Sequence, residues 1–585
     1  MEPSADEGAG EAGGGPVVDD RVVDRGDAGA DADAGADADD EADGSTGLGA
    51  ALWLPVMVAS IGVATIILLS LWVAGWRVEQ ALVVQVEPAW RSGESLALRV
   101  LHVDGERNPI VGSRVRATLH AEAPPIELGE FVDTIESGAA QGRFVVPALS
   151  EGWADLEIEI TSDERRALVE RVPVEIVAER PDRAGDLTIS TSNLNWGDNT
   201  EPQPESLRIV VRPDRRLLAG FDNTLMVRVT DPNGRPLPAR IEVALLGGEF
   251  MGQRGSSGTP PIVAEATCDR LGLTFLRGSM TSEVLELEVR VVEPGLALGD
   301  EARIRGRRRF RMVSFAGGVR LESDDLSLAP GALATLKTRS LRSNKPIHVD
   351  VHDPHGAWID TLPPIIGKSP PQEWSTVGVD PGLLQFEAYH YTNDPGESAE
   401  ILRVQVVERE PLASAALGPL FERTRALLEL PRVERAFNRD DERAYLAYLE
   451  YGVLDEDEVR SARRWLLGTL PVQVYGPPLA ASTLVRVQDE MIALKSRWYD
   501  GLRIALLGGG GLFLLLLTVS VLRRLGASVD ATARALVGLD TPEALAAEIR
   551  RARRAALIRV GVVAVTMGAG IVLAEVVLDR IIWRI

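Results

Sequence analysis

The hydrophobic positions of this chain fall into three patterns, and each predicts a different kind of element. In three stretches apolar residues run almost unbroken. Residues 51–76 hold 26 positions without a charge, 504–522 (IALLGGGGLFLLLLTVSVL) are uncharged, and 560–578 (VGVVAVTMGAGIVLAEVVL) carry only Glu575. At 1.5 Å per residue each can cross a hydrocarbon layer of about 30 Å, so transmembrane helices are predicted at 49–77, 504–522 and 560–578. Between the first and second, alternation takes over. SLALRV, TLMVRV, ATLKTR, ADLEIEI and LELEVRVV have period two, the pattern of strands with one buried face. Turn signals separate them, at Asp104-Gly105, Pro232-Asn233-Gly234 and His355-Gly356. Over 411–480 the pattern turns helical, with Asp455 and Glu458 as a capping pair and Gly468 as a stop.

The strand-rich region repeats. Gly93, an apolar strand, then Pro109 recur as Gly220, a strand, then Pro236, and as Gly331, a strand, then Pro346. Two of the units open alike, with LVVQVEP at 82–88 and LRIVVRP at 207–213. A spacing of about 110–127 residues is the size of one sandwich domain. The pattern resembles the immunoglobulin-like and macroglobulin-type β-sandwiches of bacterial surface proteins, whose D-x-x-G-x-P hairpin is matched here by Asp231, Gly234 and Pro236. The resemblance covers 80–410 and implies three all-β domains, at 80–180, 205–312 and 313–410. The thioester motif of a full macroglobulin is missing, since Cys268 is followed by Asp-Arg-Leu, so the resemblance implies no protease trapping. The fold class expected is therefore a mixed membrane protein: three Ig-like sandwiches, a helical region at 411–480, a membrane-proximal helix at 481–503 and three spans.

Charge gives the topology. The formal net charge of -24 is uneven: residues 1–46 contain 15 acidic residues and two arginines. With almost nothing to bury, segment 1–48 reads as a disordered cytoplasmic tail, a solvated tether or a contact for the basic loop at 523–559. That loop holds Arg523, Arg524, Arg534, Arg550, Arg551, Arg553, Arg554 and Arg559, and short arginine-rich loops stay cytoplasmic. Arg580 and Arg584 argue the other way but are outnumbered. The expected arrangement is a multi-pass cell-membrane protein with its N-terminus inside and residues 78–503 extracytoplasmic. Cys268 is the one cysteine, excludes an intrachain disulfide, and reads as a small buried hydrophobe.

Four groups of residues are singled out. Arg303, Arg305, Arg307, Arg309 and Arg311 in ARIRGRRRFRM share one side of an extended chain, which suits an anionic partner or a guarded edge strand. Leu484, Val487, Met491, Leu494 and Trp498 fall at a/d spacing and suit helix coupling, with packing on the chain's own helices near 414–430 preferred to a partner helix. Gly508, Gly509, Gly510 and Gly511 lie inside the second span and suit intramembrane packing, with Gly568 and Gly570 as counterparts. His348, Asp350 and His352 alternate with Ile347, Val349 and Val351; we read them as the solvated face of a strand, with no metal, and His390 as pointing inward.

No catalytic motif is found: no His-Glu-x-x-His, no Gly-x-Ser-x-Gly, no phosphate loop. Basic residues are too few and too divided for nucleic acid. The reading is a non-enzymatic, cofactor-free scaffold or binding protein, with membrane lipid and an outside protein or envelope polymer as partners. The alternative is a signal-coupling subunit that passes ectodomain movement to the basic loop.

Overall fold

A computed structural model describes residues 46–121, 124–162, 165–181, 203–256, 258–293, 304–316, 318–367, 370–392, 399–408, 410–430, 438–535 and 542–582. The chain divides into two compact units, one of Ser70–Gly501 and one of the helical segments up to Leu69 and over Leu502–Arg580.

The first unit is mostly β-sheet, and its described strands form three pairs of facing sheets and one small ribbon, Glu249–Phe250 with Gln253–Arg254. One pair sets the sheet Leu479–Ser482, Ala81–Val86, Ser95–Val103, Ala139–Val145 against the sheet Ala89–Trp90, Arg165–Ile176, Gly152–Ser162, Arg114–His120, Ile126–Val132. Leu96, Leu98 and Val100 meet Val115, Leu156 and Ile158 in the core between them. A second pair sets Leu273–Met280, Phe221–Thr230, Arg208–Pro213 against Ile262–Thr267, Arg240–Gly247, Val284–Val292, Ile304–Val313, with Leu225, Val227, Leu287 and Val289 inside. A third sets Val319–Ser323, Leu333–Ser340, Gln372–Ser375 against Ser327–Leu328, Glu400–Val406, Gly382–Tyr389, Pro346–His352, Trp358–Ile366, around Leu336, Val349, Val351 and Phe386.

A recurring hairpin gives the repeat its physical basis. Asp231 accepts from the backbone N–H groups of Asn233 (2.8 Å) and Arg235 (2.9 Å), and Gly234 sits at φ 79°. Asp353 does the same with His355 and Ala357, with Gly356 at φ 82°, and Asp104 with Glu106 and Asn108. A short carboxylate thus replaces water on the turn's open N–H groups. In the last case the left-handed position is held by Arg107, at φ 66°, where the others have glycine.

Period two identifies the core face of each strand, but the opposite face is not always wet. Arg114–His120 and Gly152–Ser162 alternate between buried and exposed positions, as expected. Ser95–Val103, Phe221–Thr230 and Pro346–His352 are buried along nearly their whole length. Their polar residues therefore face other parts of the unit.

Helices Gly418–Glu429, Arg439–Tyr451 and Glu456–Thr469 cover the second sheet pair, where Leu420, Tyr445, Leu449, Trp465 and Leu466 pack on Met226, Leu271 and Leu273. Asp455 and Glu458 form a complete capping box at the start of the third. Gly468 lies inside that helix's last turn and not beyond it. A Cβ there would fall 2.2 Å from Met226 Cε and 3.2 Å from the Asp214 backbone, so close approach, and not chain stopping, requires the glycine.

The second unit is helical. Among the described residues of the whole chain, and not of this unit alone, three helical stretches are long and apolar enough to cross a membrane: Met57–Ala74, Thr483–Arg524 and Ile549–Arg580. The middle one contains a π-helical turn at Ala505–Gly509, and the last belongs to a single helix, Pro542–Ile582, that runs without a break from the expected basic loop through the expected third span.

Candidate functional site

Buried charge joins the first and third sheet pairs. Arg99, on the outer face of Ser95–Val103, is fully buried and reaches across to the third pair. It donates through Nη2 to Asp350 Oδ1 (2.7 Å) and Thr361 Oγ1 (3.0 Å), through Nη1 to the Tyr389 hydroxyl (2.8 Å), and through Nε to Gln141 Oε1 (2.6 Å). Gln141 in turn donates to Thr361 (2.9 Å) and the Leu362 carbonyl (2.7 Å), and the Tyr389 hydroxyl donates to Asp350. Burial works against the charge on Arg99, but Asp350 and Tyr389 outweigh it and its pKa is raised. Glu87 Oε1 accepting from the Trp358 backbone N–H (2.8 Å) and Arg180 between Glu94 (3.0 Å) and Asp353 (2.8 Å) extend the same interface.

A second buried set fixes the helices to the second pair. Glu442 receives Arg212 at 2.6 Å and Arg228 at 2.8 Å. Both guanidiniums lie over the Trp465 ring, and Arg228 also lies over Tyr445 at 4.4 Å. Burial raises the Glu442 carboxyl, and the two arginines more than reverse that, leaving it below its ordinary value.

Between the second pair, the third pair and helix Glu456–Thr469 opens a cleft of about 420 Å³, seven of whose lining residues are arginines and five carboxylates. Most of these are matched: Arg464 meets Asp214 at 2.7 Å, Arg277 meets Glu322 at 3.2 Å, and Arg320 meets Glu400 at 3.1 Å behind the wall. Arg463 and Arg403 are different. Arg463, buried, bonds Gln405 Oε1 (3.1 Å) and the Pro411 carbonyl. Arg403 bonds only the carbonyls of Leu467, Leu470 and Pro471. Burial brings each guanidinium down to about 10. Among the described residues neither has a carboxylate within ion-pair distance, and Glu387 acts on Arg403 only at longer range.

The structure redistributes the residues singled out from sequence. The arginine stripe lies on Ile304–Val313, an edge strand of its sheet, with Arg303 outside the described residues. Arg305 meets Glu293 (3.7 Å), Arg309 meets Glu288 (3.0 Å) and Arg311 meets Glu286 (3.5 Å), while Arg307 stands opposite Arg290 in the ladder. Much of the stripe's charge is therefore balanced on the neighbouring strand. The helix Thr483–Ile504 does not pack on 414–430. Leu484, Val487 and Met491 cover Val78, Ala81, Leu101 and Val103 on the first sheet pair, Trp498 meets Trp76 edge-on at 5.8 Å, and Leu494 is half exposed. Of Gly508, Gly509, Gly510 and Gly511, only Gly510 leaves a Cβ no room, with Ile571 Cδ1 2.8 Å from where that atom would stand; a Cβ on the others, or on Gly568 or Gly570, would meet nothing from another element within 4 Å. Beside them Glu575 and Asp579 both hold Arg503, at 2.7 and 2.6 Å.

The expected solvated face of His348, Asp350 and His352 is buried. His348 Nδ1 lies 3.2 Å from Gln141, Asp350 belongs to Arg99, and the His352 ring packs against Tyr475 at 5.2 Å. Among the described residues no three His, Cys, Asp or Glu side chains converge as a metal set. Cys268 is buried in the second core, its thiol pushed up to about 12 by burial. Tail residues 1–45 lie outside the described residues.

The chain matches no family model and no curated protein. Solved structures similar to it include trypsin-activated alpha-2-macroglobulin from Escherichia coli (12% identity, 57% of this chain and 24% of that one, TM-score 0.15) and a tetra-tandem repeat from the extending region of a large adhesion protein (14%, 56% and 74%, 0.15). Dimeric latent PorU from Porphyromonas gingivalis is a third (12%, 57% and 34%, 0.18). The chain thus spans about a quarter of the length of the first.

Proposed function

We propose that this chain is a membrane-anchored, non-enzymatic scaffold or binding protein. Its 80–180, 205–312 and 313–410 segments act as Ig-like domains displayed outside the membrane, with the N-terminus and 523–559 inside. The observation that carries the reading is the way Arg99 is used. A fully buried guanidinium whose bonds run to Asp350, Tyr389, Thr361 and Gln141 spends its chemistry on joining two sheet pairs, not on a substrate. Breaking such a set leaves charge uncompensated in the interior, so it resists rearrangement and holds the surfaces around it in a fixed relation.

The test is crosslinking of the full-length protein in its native membrane, followed by mass spectrometry. A stoichiometric protein or envelope-polymer adduct on 80–480 is the expected result. Adducts confined to 523–559 would favour the signal-coupling reading instead. One observation supports that alternative: helical hydrogen bonding runs through Thr483–Arg524 with a π turn at Ala505–Gly509, a geometry found often at functional sites.

A further inference from the structure

We infer that the cleft beside helix Glu456–Thr469 is a binding site for the free carboxylate of a short, largely apolar ligand, of which the C-terminus of a peptide is the simplest form. This rests on the cleft itself and not on the scaffold reading.

Three observations lead to it. First, the cleft is a pocket of ligand size: about 420 Å³ lies within the range of small-molecule sites. Second, its charge is unevenly spent. Asp214, Glu322 and Glu400 already hold arginines, which leaves Arg403 and Arg463 with neutral acceptors alone. Arg463 Nη1 meets no acceptor among the described residues. A guanidinium buried without an anion is costly, and a planar carboxylate is the group its fork fits best. Third, the lining also has an apolar share: Leu412, Leu467, Leu470 and Val472 line the same cleft as these two arginines. A ligand with one negative head and an aliphatic body satisfies both surfaces. The carboxylates elsewhere in the lining would repel a doubly charged phosphate more strongly than a single carboxylate.

The burial that brings Arg463 and Arg403 to about 10 also makes them respond to an arriving anion, because each gains a partner it now lacks. Neither guanidinium loses its charge near neutrality, so binding should be flat between pH 6 and 8.

The experiment uses the full chain in lipid nanodiscs and isothermal titration with N-acetyl-Leu-Ala-Leu as the free acid, as its C-terminal carboxamide, and with inorganic phosphate. The expected result is saturable binding of the acid, at least tenfold weaker binding of the carboxamide, and weaker binding of phosphate. Arg463→Gln should lower acid affinity at least tenfold and leave carboxamide affinity unchanged. Because Arg463 also holds Gln405 and Pro411, Arg463→Lys serves as a folded control that keeps the charge but not the fork, and should give an intermediate loss. Equal affinity for acid and carboxamide, preference for phosphate, or no binding of the acid at millimolar concentration would each overturn the proposal. Failure here leaves the crosslinking result of the scaffold reading untouched, and the reverse also holds.

Discussion

Single residues decide how well each turn and interface is made, and two of them make predictions. Arg107 occupies a left-handed position that Gly234 and Gly356 fill in the equivalent hairpins. An L-residue costs about 1–2 kcal/mol there, against about 0.5–1 for the extra freedom of an unfolded glycine. Arg107→Gly should therefore raise stability slightly, by about 0.5–1 kcal/mol, read as a higher thermal midpoint. His102 is buried beside Ser113 and Gln80, and burial, helped by Arg165, lowers its pKa from the usual 6.5 to about 4. The native state thus favours the neutral ring. Stability is complete above 6.5 and falls as pH drops from 6.5 toward 4, at up to about 1.4 kcal/mol per unit. His102→Gln should flatten that part of the curve in thermal melts taken between pH 7 and 4; an unchanged slope would place the acid sensitivity elsewhere.

At the level of elements, the sequence was most legible where one force acts alone. Long uncharged runs became long helices, and the capping pair Asp455–Glu458 became a helix start. The alternating strands were legible for the face that builds the core, as with Ile347, Val349 and Val351. They were not legible for the other face, because period two does not say whether polar residues meet water or another sheet. Arg99 and Asp350 look like ordinary solvated positions, and only a contact made across about 250 residues buries them. A trace of this was present: Ala97, Leu101 and Val103 on the same side as Arg99 make that face too apolar for water. The candidate site was less legible still, since Arg403 and Arg463 belong to a strand and a helix with no shared motif. The glycine run also separates at this scale. Gly510→Leu should clash with Ile571 and lower the melting temperature in detergent, whereas Gly508→Leu and Gly511→Leu should be tolerated.

For the whole molecule, the buried ion sets predict cooperative behaviour. Glu442→Gln leaves Arg212 and Arg228 buried with one charge too few, at a cost of about 3–5 kcal/mol. Because Glu442 lies on a helix and both arginines on the second sheet pair, limited proteolysis should release 411–480 and expose 205–312 together. Independent release of either part would show that the helices are an accessory. The chain is also made in an order that leaves one sheet waiting for its edge. Strand Ala81–Val86 gains its outer neighbour only from Leu479–Ser482, and Leu82 donates to Thr483 across 401 positions. At about 5–20 residues per second of synthesis, that neighbour arrives about 20–80 s after the strand itself. For that interval an early sheet has a bare edge, which makes a nascent chain prone to mispairing. The last β-segment to be made therefore acts as a seal, and chains truncated before residue 479 should be the ones that aggregate or are degraded.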